Sequence, residues 1–284
     1  MFDSSKLDAY LTGLCQARDL PGVSAAIMGP DGLEYAFNYG FRDGAFTRPV
    51  DNDTLFGVAS MSKSMTALCA CILACEGRLD LNAPVSDFFP KFELAGQPRE
   101  AATVRTLAMH TAGIPPMEPL EWSIAMNSEG RSESDWLREM KRTAPNKMET
   151  IDQIIAYIAH CGYNTLGAPG EVMSYSNEGY AILSYIVDQA AGVPLEQFMQ
   201  ARIFDPLGMT RTILDNGVEA ARALSGGNIT SLFEVEDGRR TCDDCWSVLP
   251  PFRGCAMVKS TSRDTVSYPH LRAPETLMHL VCRL

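Results

Sequence analysis

The sequence predicts an α/β (α+β) fold, in which an antiparallel sheet is flanked by helices and carries a helical region. Two β-prone runs near the N-terminus are joined by turn residues, and β-prone runs return after residue 226. A helical, loop-rich block separates the two groups of strands. With 284 residues, 46% hydrophobic and 21% charged, the chain has a globular composition and enough length for a sizeable core.

The first elements are a helix and a hairpin. Residues 7–18 have the apolar spacing of an amphipathic helix, which ends before Pro21-Gly22. Residues 23–28 and 33–39 read as two strands, and the Gly-Pro-Asp-Gly stretch at 29–32 between them has strong turn chemistry. We therefore expect an antiparallel hairpin.

A helix over about 61–75 follows a polar loop and ends at Gly77. It contains Cys69, Cys71 and Cys75, within a total of nine cysteines. An odd number, with three in one apolar helix, favours buried free cysteines over a disulfide framework.

The central block and the C-terminal part complete the prediction. Apolar spacing predicts helices over 151–160, 178–191 and 195–203, the second closed by Gly192. Short β-prone runs with turn residues occupy 226–246.

These elements predict one domain over 1–265. Its sheet part spans 1–57 and about 223–265, and its helical part spans about 58–222. The tail, 266–284, fits neither pattern, and we expect it to be non-native.

The charge balance excludes some partners. There are 24 Lys+Arg against 35 Asp+Glu, a formal net charge of −11, so we expect no nucleic-acid partner and no anionic membrane surface. The longest apolar run, 67–75, is about half of a membrane span, and the N-terminus lacks the pattern of a secretory signal. The expected protein is soluble, reduced and cytoplasmic, and its oligomeric state stays open.

One Cys-x-x-Cys pair, Cys242 and Cys245, raises the question of a metal or redox site. A structural zinc site commonly needs two such pairs, and no second pair or nearby histidine is present. The two intervening aspartates favour the protonated thiol. We expect an acidic loop with no metal and no cofactor, and keep zinc or redox chemistry as the alternative.

Ser60 and Lys63 form the first chemical motif. Three residues apart at the start of a helix, their side chains share one face. A serine hydroxyl needs an adjacent base to become a nucleophile, and a lysine can serve when its surroundings disfavour its charged form. The helix N-terminus also offers N–H groups to an oxyanion. The alternative is a polar helix start with Ser60 as the N-cap.

Tyr175 and Asn177 form the second motif, at the opening of the next long helix. A tyrosine near Ser60 can relay a proton to a leaving group, and an asparagine can orient the lysine and bind the substrate carbonyl side. The alternatives are a half-buried aromatic ring for Tyr175 and a helix N-cap for Asn177.

Ser60-Met61-Ser62-Lys63 and Tyr175-Ser176-Asn177 resemble the first two boxes of the serine β-lactamase and penicillin-binding-protein superfamily. The branch they most resemble is that of class C β-lactamase-like hydrolases, with esterases and D-amino-acid peptidases. Further landmarks include His110-Thr111-Ala112-Gly113 and Ser260-Thr261-Ser262-Arg263-Asp264. The resemblance covers about 10–265 and implies a β-lactamase/transpeptidase-like fold.

The resemblance implies a mechanism. Ser60 would be acylated by a small ester or amide, Lys63 and Tyr175 would share the acid–base work, and Asn177 would bind substrate. His110 would support a loop near the site and not act as the base. Because we expect a cytoplasmic protein, an ester or peptide substrate is favoured over a β-lactam.

The family's third box, a Lys-Thr-Gly or His-x-Gly triplet, does not occur in the 20 residues after Asp264. Lys259-Ser260-Thr261 lacks the glycine, and we expect Ser260 or Thr261 to be a helix cap. The missing strands suggest a C-terminal truncation, would expose the edge of the hairpin and would remove an oxyanion donor. We therefore expect low or no activity. The alternative function is a non-catalytic binding module or an inactive fragment of the same fold.

Overall fold

The computed structural model describes residues 4–29, 32–131, 133–236 and 239–270. Helix α1 (Ser5–Ala17) packs against the antiparallel hairpin of β1 (Gly22–Gly29) and β2 (Gly32–Gly40). The hairpin pairs Gly22 with Gly40 and has an irregularity after Ile27. The predicted helix and hairpin are thus confirmed. Two residues of the predicted turn, 30–31, lie outside the described residues.

The helical region begins at α2 (Ser62–Cys75), directly after a 3₁₀ turn over Ala59–Met61. The helices that follow are α3 (Val85–Phe88), α4 (Val104–Ala108), α5 (Pro119–Met126), α6 (Asp135–Thr143), α7 (Ile151–His160), α8 (Asn177–Ala191) and α9 (Leu195–Met199). A π-helical turn continues α9 over Gln200–Phe204, where the sequence pattern predicts a regular helix to residue 203. The short strand β4 (Ile213–Leu214) also lies within 58–222, the part of the chain that was expected to be helical.

The remaining elements return to the sheet side. They are β3 (Phe56–Gly57), α10 (Glu219–Ser225), β5 (Leu232–Glu236), β6 (Arg239–Asp243), α11 (Arg253–Ala256), β7 (Val258–Ser260) and α12 (Ser262–Thr265). β7 pairs antiparallel with β3 and β4, and β5 pairs antiparallel with β6. The described strands therefore form three small antiparallel sheets where one continuous sheet was expected. The two strands beside β7, β3 and β4, have only two residues each.

Local signals explain the helix boundaries. Thr150 caps α7 and forms a reciprocal capping box with Gln153, so the predicted bounds 151–160 are confirmed. Gly192 ends α8 with a φ of +67°, a left-handed conformation that glycine adopts without steric cost. Ser176 caps the N-terminus of α8 through the N–H of Gly179.

The main core lies around α2 and α8, which contact each other along buried apolar faces. Met65, Cys69 and Ile182 are fully buried there. Cys71 is also buried, whereas Cys75 is exposed at the end of α2. The expectation of buried cysteines is therefore wrong for Cys75, because α2 approaches the surface at its last residues, after the buried Leu73.

In the described part of the chain, no helix is long and apolar enough to cross a bilayer. Residues 266–270 of the unusual tail form a turn after α12 and a short 3₁₀ segment. The rest of that tail, 271–284, lies outside the described residues.

Candidate active site

The chain enters the site through β3, and β7 holds the start of α2. The Val58 N–H donates to the Val258 carbonyl oxygen at 3.0 Å. In return, the Val258 N–H donates to Ser62 Oγ at 3.1 Å, in a buried position. The buried Ser62 hydroxyl thus connects α2 to β7, and Ser60 is the exposed serine of the motif. Ser60 lies within the 3₁₀ turn and is not an N-cap of α2.

Lys63 is buried beside Ser60, with only 4% of its surface exposed. Its ammonium Nζ donates to Ser60 Oγ at 3.2 Å and to the Cys255 carbonyl oxygen at 3.0 Å. The second bond comes from α11, which packs against both α2 and α8. Lys63 Nζ therefore lies between Ser60, which is close in the sequence, and a distant segment of the chain that provides its second acceptor.

Tyr175 comes to the same place from the loop before α8. Its ring centroid lies 4.8 Å from Lys63 Nζ. The ring centroid of Tyr180 lies 5.9 Å from the same Nζ atom. Tyr175 is 44% exposed, and its hydroxyl has no hydrogen-bond partner within the described ranges. The ring is thus partly exposed, which is also compatible with the half-buried aromatic of the alternative interpretation. It is a surface group beside a buried amine.

His110 lies behind Tyr175. The two rings stack with centroids 4.4 Å apart, and the Ser176 N–H donates to His110 Nδ1 at 3.0 Å. Burial, together with the positive charge of Lys63, lowers the pKa of His110 to about 4. These contacts are those of a residue that supports a loop, as expected from the sequence.

Asn177 is the first residue of α8 and is half-buried. Ser176 is the cap of this helix, so the interpretation of Asn177 as an N-cap is wrong. Among the described residues, the Asn177 side chain makes no hydrogen bond, neither to Lys63 nor to Ser60. The structure thus brings Ser60, Lys63 and Tyr175 together, whereas no hydrogen bond links Asn177 to them among the described residues.

A buried carboxyl group lies directly after Asn177. Glu178 is 2% exposed, and its Oε2 accepts a hydrogen bond from Ser176 Oγ at 3.2 Å. Its other oxygen has no partner in the described part of the chain. Burial and the charge of Glu121 raise the pKa of Glu178 to about 7. Burial and the charge of Glu118 also raise the pKa of Glu121.

The triplet Lys259-Ser260-Thr261 is engaged elsewhere. Lys259 Nζ donates to the Asp215 carbonyl oxygen, and Ser260 Oγ shares a hydrogen bond with Thr212 Oγ1 at 2.7 Å. Thr261 caps α12, as expected. Each side chain has its own partner on the sheet side, so this triplet does not replace the third motif.

Cys242 and Cys245 are free, half-buried thiols at the end of β6. Burial and the neighbouring Asp244 and Asp243 raise the pKa of Cys242, although a hydrogen bond with Ser231 opposes this. The described residues contain no group of three or more metal-ligating side chains.

Two residues of the site were missed by the sequence analysis. Cys255 contributes its backbone carbonyl, and no residue type predicts such a contact. Tyr180 faces Lys63 and donates its hydroxyl to the Ala108 carbonyl oxygen at 2.8 Å. Its position one helical turn after Asn177 was a usable signal, because residues three apart share a helix face.

Comparisons with known proteins bear on this constellation. The model of the Beta-lactamase family matches residues 7–268. A beta-lactamase of Pseudomonas fluorescens is 26% identical over 208 residues, 73% of this chain and 50% of the relative. Penicillin-binding protein 4* of Bacillus subtilis is 29% identical over 74% of this chain and 41% of its own length. Esterase EstB of Burkholderia gladioli is 28% identical over 72% of this chain and 50% of its own length.

Solved structures show the same fold. An octameric penicillin-binding protein homologue from Pyrococcus abyssi superposes with a TM-score of 0.78 at 24% identity, covering 98% of this chain and 59% of that one. A class C beta lactamase superposes with a TM-score of 0.72 at 22% identity. The superposition covers 99% of this chain and 69% of the class C beta lactamase. The fold is therefore β-lactamase/transpeptidase-like. The chain spans about half the length of the relatives that it matches in sequence.

Proposed function

The chain belongs to the beta-lactamase family, and from that premise we propose that it is a serine hydrolase that cleaves a small ester or amide through an acyl-enzyme on Ser60. One observation carries the proposal: Lys63 Nζ donates to Ser60 Oγ at 3.2 Å while the Tyr175 ring lies 4.8 Å away. The nucleophile, a basic amine and a phenol are thus within reach of one another.

In the acylation step, the reacting form of the pair Lys63 and Tyr175 has one of its two groups deprotonated. Ser60 Oγ attacks the substrate carbonyl carbon and passes its proton to that group. The carbonyl oxygen becomes an oxyanion, which the N–H groups at the start of the helix can stabilise. The bond to the leaving group then breaks, and the pair returns the proton to the departing alcohol or amine.

In the deacylation step, water attacks the acyl-Ser60 ester. The same pair takes a proton from the water and returns one to Ser60 Oγ, which releases the acid. Asn177, the first residue of α8, is proposed to bind the carbonyl side of the substrate. The proposed role of Cys255 is to hold the Lys63 amine through its carbonyl oxygen at 3.0 Å.

The names of the relatives support esters and amides as the class of substrate. Among the relatives, one is named an esterase and another a beta-lactamase. We propose an ester or amide without a β-lactam ring as the preferred substrate.

A fluorophosphonate probe tests the acylation step, since attack by an activated serine displaces fluoride and leaves a stable phosphonylated residue. We expect mass spectrometry to place the label on Ser60. Ser60→Ala should abolish labelling, and Lys63→Ala should slow it by about 10²-fold or more. Ser64→Ala is the matched control, because Ser64 is an exposed serine on the same helix whose Oγ donates to the Met61 carbonyl oxygen. This control should label like the parent.

Substrate choice is tested with p-nitrophenyl acetate, a D-alanyl p-nitroanilide and nitrocefin. We expect slow release of nitrophenol or nitroaniline that Ser60→Ala abolishes, and slower hydrolysis of nitrocefin. A folded chain whose Ser60 is never labelled would contradict the enzyme proposal and favour a binding module. Faster hydrolysis of nitrocefin than of the other two would contradict the substrate preference.

A further inference from the structure

We infer that His110 is a positioning residue that orients Tyr175 and thereby controls acylation of Ser60. This inference rests on the proposed function. His110 does not exchange a proton with the substrate in this assignment. It acts through the phenol that does.

The residues on either side of Tyr175 both donate hydrogen bonds to His110. The N–H of Ser174 donates to the His110 carbonyl oxygen at 2.7 Å, and the N–H of Ser176 donates to His110 Nδ1 at 3.0 Å. The residues immediately before and after Tyr175 are thus both attached to His110. His110 therefore restrains the backbone on both sides of Tyr175.

The side chain of Tyr175 is held by the same residue. Its ring stacks on the His110 imidazole at 4.4 Å, with an angle of 28° between the ring planes. The imidazole also contacts the ring of Tyr180, at 4.7 Å and 37°. Because Tyr175 is 44% exposed, this stack restrains a ring that would otherwise move freely at the surface.

His110 is itself fixed in place. Its backbone has a φ of +58°, and its N–H donates to the Leu107 carbonyl oxygen at 3.1 Å. The Tyr180 hydroxyl donates to the Ala108 carbonyl oxygen at 2.8 Å, which attaches the end of α4 to α8. A left-handed, non-glycine residue is uncommon and persists where the surrounding structure holds it.

The hydrogen bonding also argues against a role as base. Nδ1 accepts the Ser176 N–H, so the proton of the neutral ring is assigned to Nε2. A ring in that state has no free lone pair for a substrate proton. Burial and the positive charge of Lys63 both disfavour a positive charge on the His110 ring, and they lower its pKa.

Two variants separate the contacts of His110. His110→Asn removes the aromatic stack but keeps an acceptor near Nδ1, and asparagine tolerates the left-handed backbone. His110→Phe keeps an aromatic ring and removes the acceptor. Each is combined with Tyr175→Phe, and thermal melting identifies any variant that fails to fold. The measured quantity is the rate constant for labelling of Ser60 by the fluorophosphonate probe.

We expect His110→Phe to slow labelling by about tenfold or more and His110→Asn to slow it less, because a small misplacement of a catalytic group is costly. In the Tyr175→Phe background, neither substitution should have a further effect. A role confined to general stability would lower the rate equally in both backgrounds, so additive effects would overturn the inference. Unchanged labelling of both single variants would overturn it as well.

Amide hydrogen exchange of residues 174–176 gives a readout that does not depend on activity. His110→Phe should speed the exchange of the Ser176 amide by at least about tenfold, and His110→Asn should largely preserve its protection. Failure of the parent chain to label at Ser60 would reject the proposed function. No change in exchange would reject the attachment of this loop to His110.

Discussion

Ala59, the residue before the proposed nucleophile, has a φ of +46°. This left-handed conformation costs an alanine roughly 1–2 kcal/mol. It is held by the hydrogen bond from the Met61 N–H to the Val58 carbonyl oxygen at 3.1 Å. The turn changes the chain direction from strand to helix at this point, which leaves Ser60 exposed while Lys63 is buried.

Glu178 carries a pH-dependent contribution to stability. Its pKa in the folded protein is about 7, above the ordinary value of 4.5, so the folded state holds a proton that the unfolded chain releases between these values. The stability associated with the neutral carboxyl group is fully present below pH 4.5. It is lost as the pH rises through about 7.

Glu178→Gln should therefore be more stable than the parent at pH 8, by on the order of 1–3 kcal/mol, because glutamine stays neutral. The gain should disappear towards pH 4.5. Thermal melting at pH 4.5 and pH 8 measures both values, with Glu129→Gln, at an exposed carboxyl group, as the control. An equal change at both pH values would contradict the assignment.

At the scale of elements, α11 connects the main core to the site. The Thr66 hydroxyl of α2 donates to the Gly254 carbonyl oxygen at 2.6 Å, and the next carbonyl, of Cys255, binds Lys63. A Cβ on Gly254 would lie 2.6 Å from Ser184 Cβ and 2.9 Å from Leu195 Cδ2. The close approach of α11 to α2 and α8 therefore requires a glycine.

Gly254→Ala should destabilise the protein by about 1–3 kcal/mol and also slow labelling of Ser60, because α11 must move away from Lys63. Gly13→Ala is the matched control. Gly13 lies within α1 with no atom near its Cβ position, and alanine favours a helix by about 0.8–1.0 kcal/mol over glycine. Thermal melting and the labelling rate report the two effects, and a Gly254→Ala protein with normal labelling would argue against this role of α11.

At the scale of the whole molecule, the hairpin of β1 and β2 has its own small core. Its buried residues are Cys15, Tyr35 and Phe37, separate from the main cluster around α2 and α8. No residue of β1 is buried, and Ile27 and Leu33 are 44% and 41% exposed. The described strands of the hairpin pair only with each other.

We expect the hairpin amides to exchange at least about tenfold faster than those of α8, because local opening exposes little apolar surface. Hydrogen exchange read by mass spectrometry checks this. Phe37→Ala should speed exchange in the hairpin and leave α8 unchanged. Equal protection of the two regions would show instead that the molecule opens as one unit.

Local signals made much of this structure predictable. The capping box at Thr150 and Gln153 begins α7 where expected, and Gly192 ends α8. The spacing of Ser60 and Lys63 predicts two side chains on one helical face, and they are 3.2 Å apart. Such features depend on residues within one or two turns of each other, whose geometry is the same in any fold.

Residue types and their spacing thus predicted the fold class, the hairpin, the main helices and the pairing of Ser60 with Lys63. Three features of the site depend instead on how distant segments pack. The Cys255 carbonyl oxygen reaches Lys63, His110 attaches to both neighbours of Tyr175, and Asn177 makes no hydrogen bond with Lys63 among the described residues. Backbone groups and stacked rings are available at many positions of any chain. Which of them meet depends on how α2, α8 and α11 pack, and residue type and spacing do not encode that packing locally.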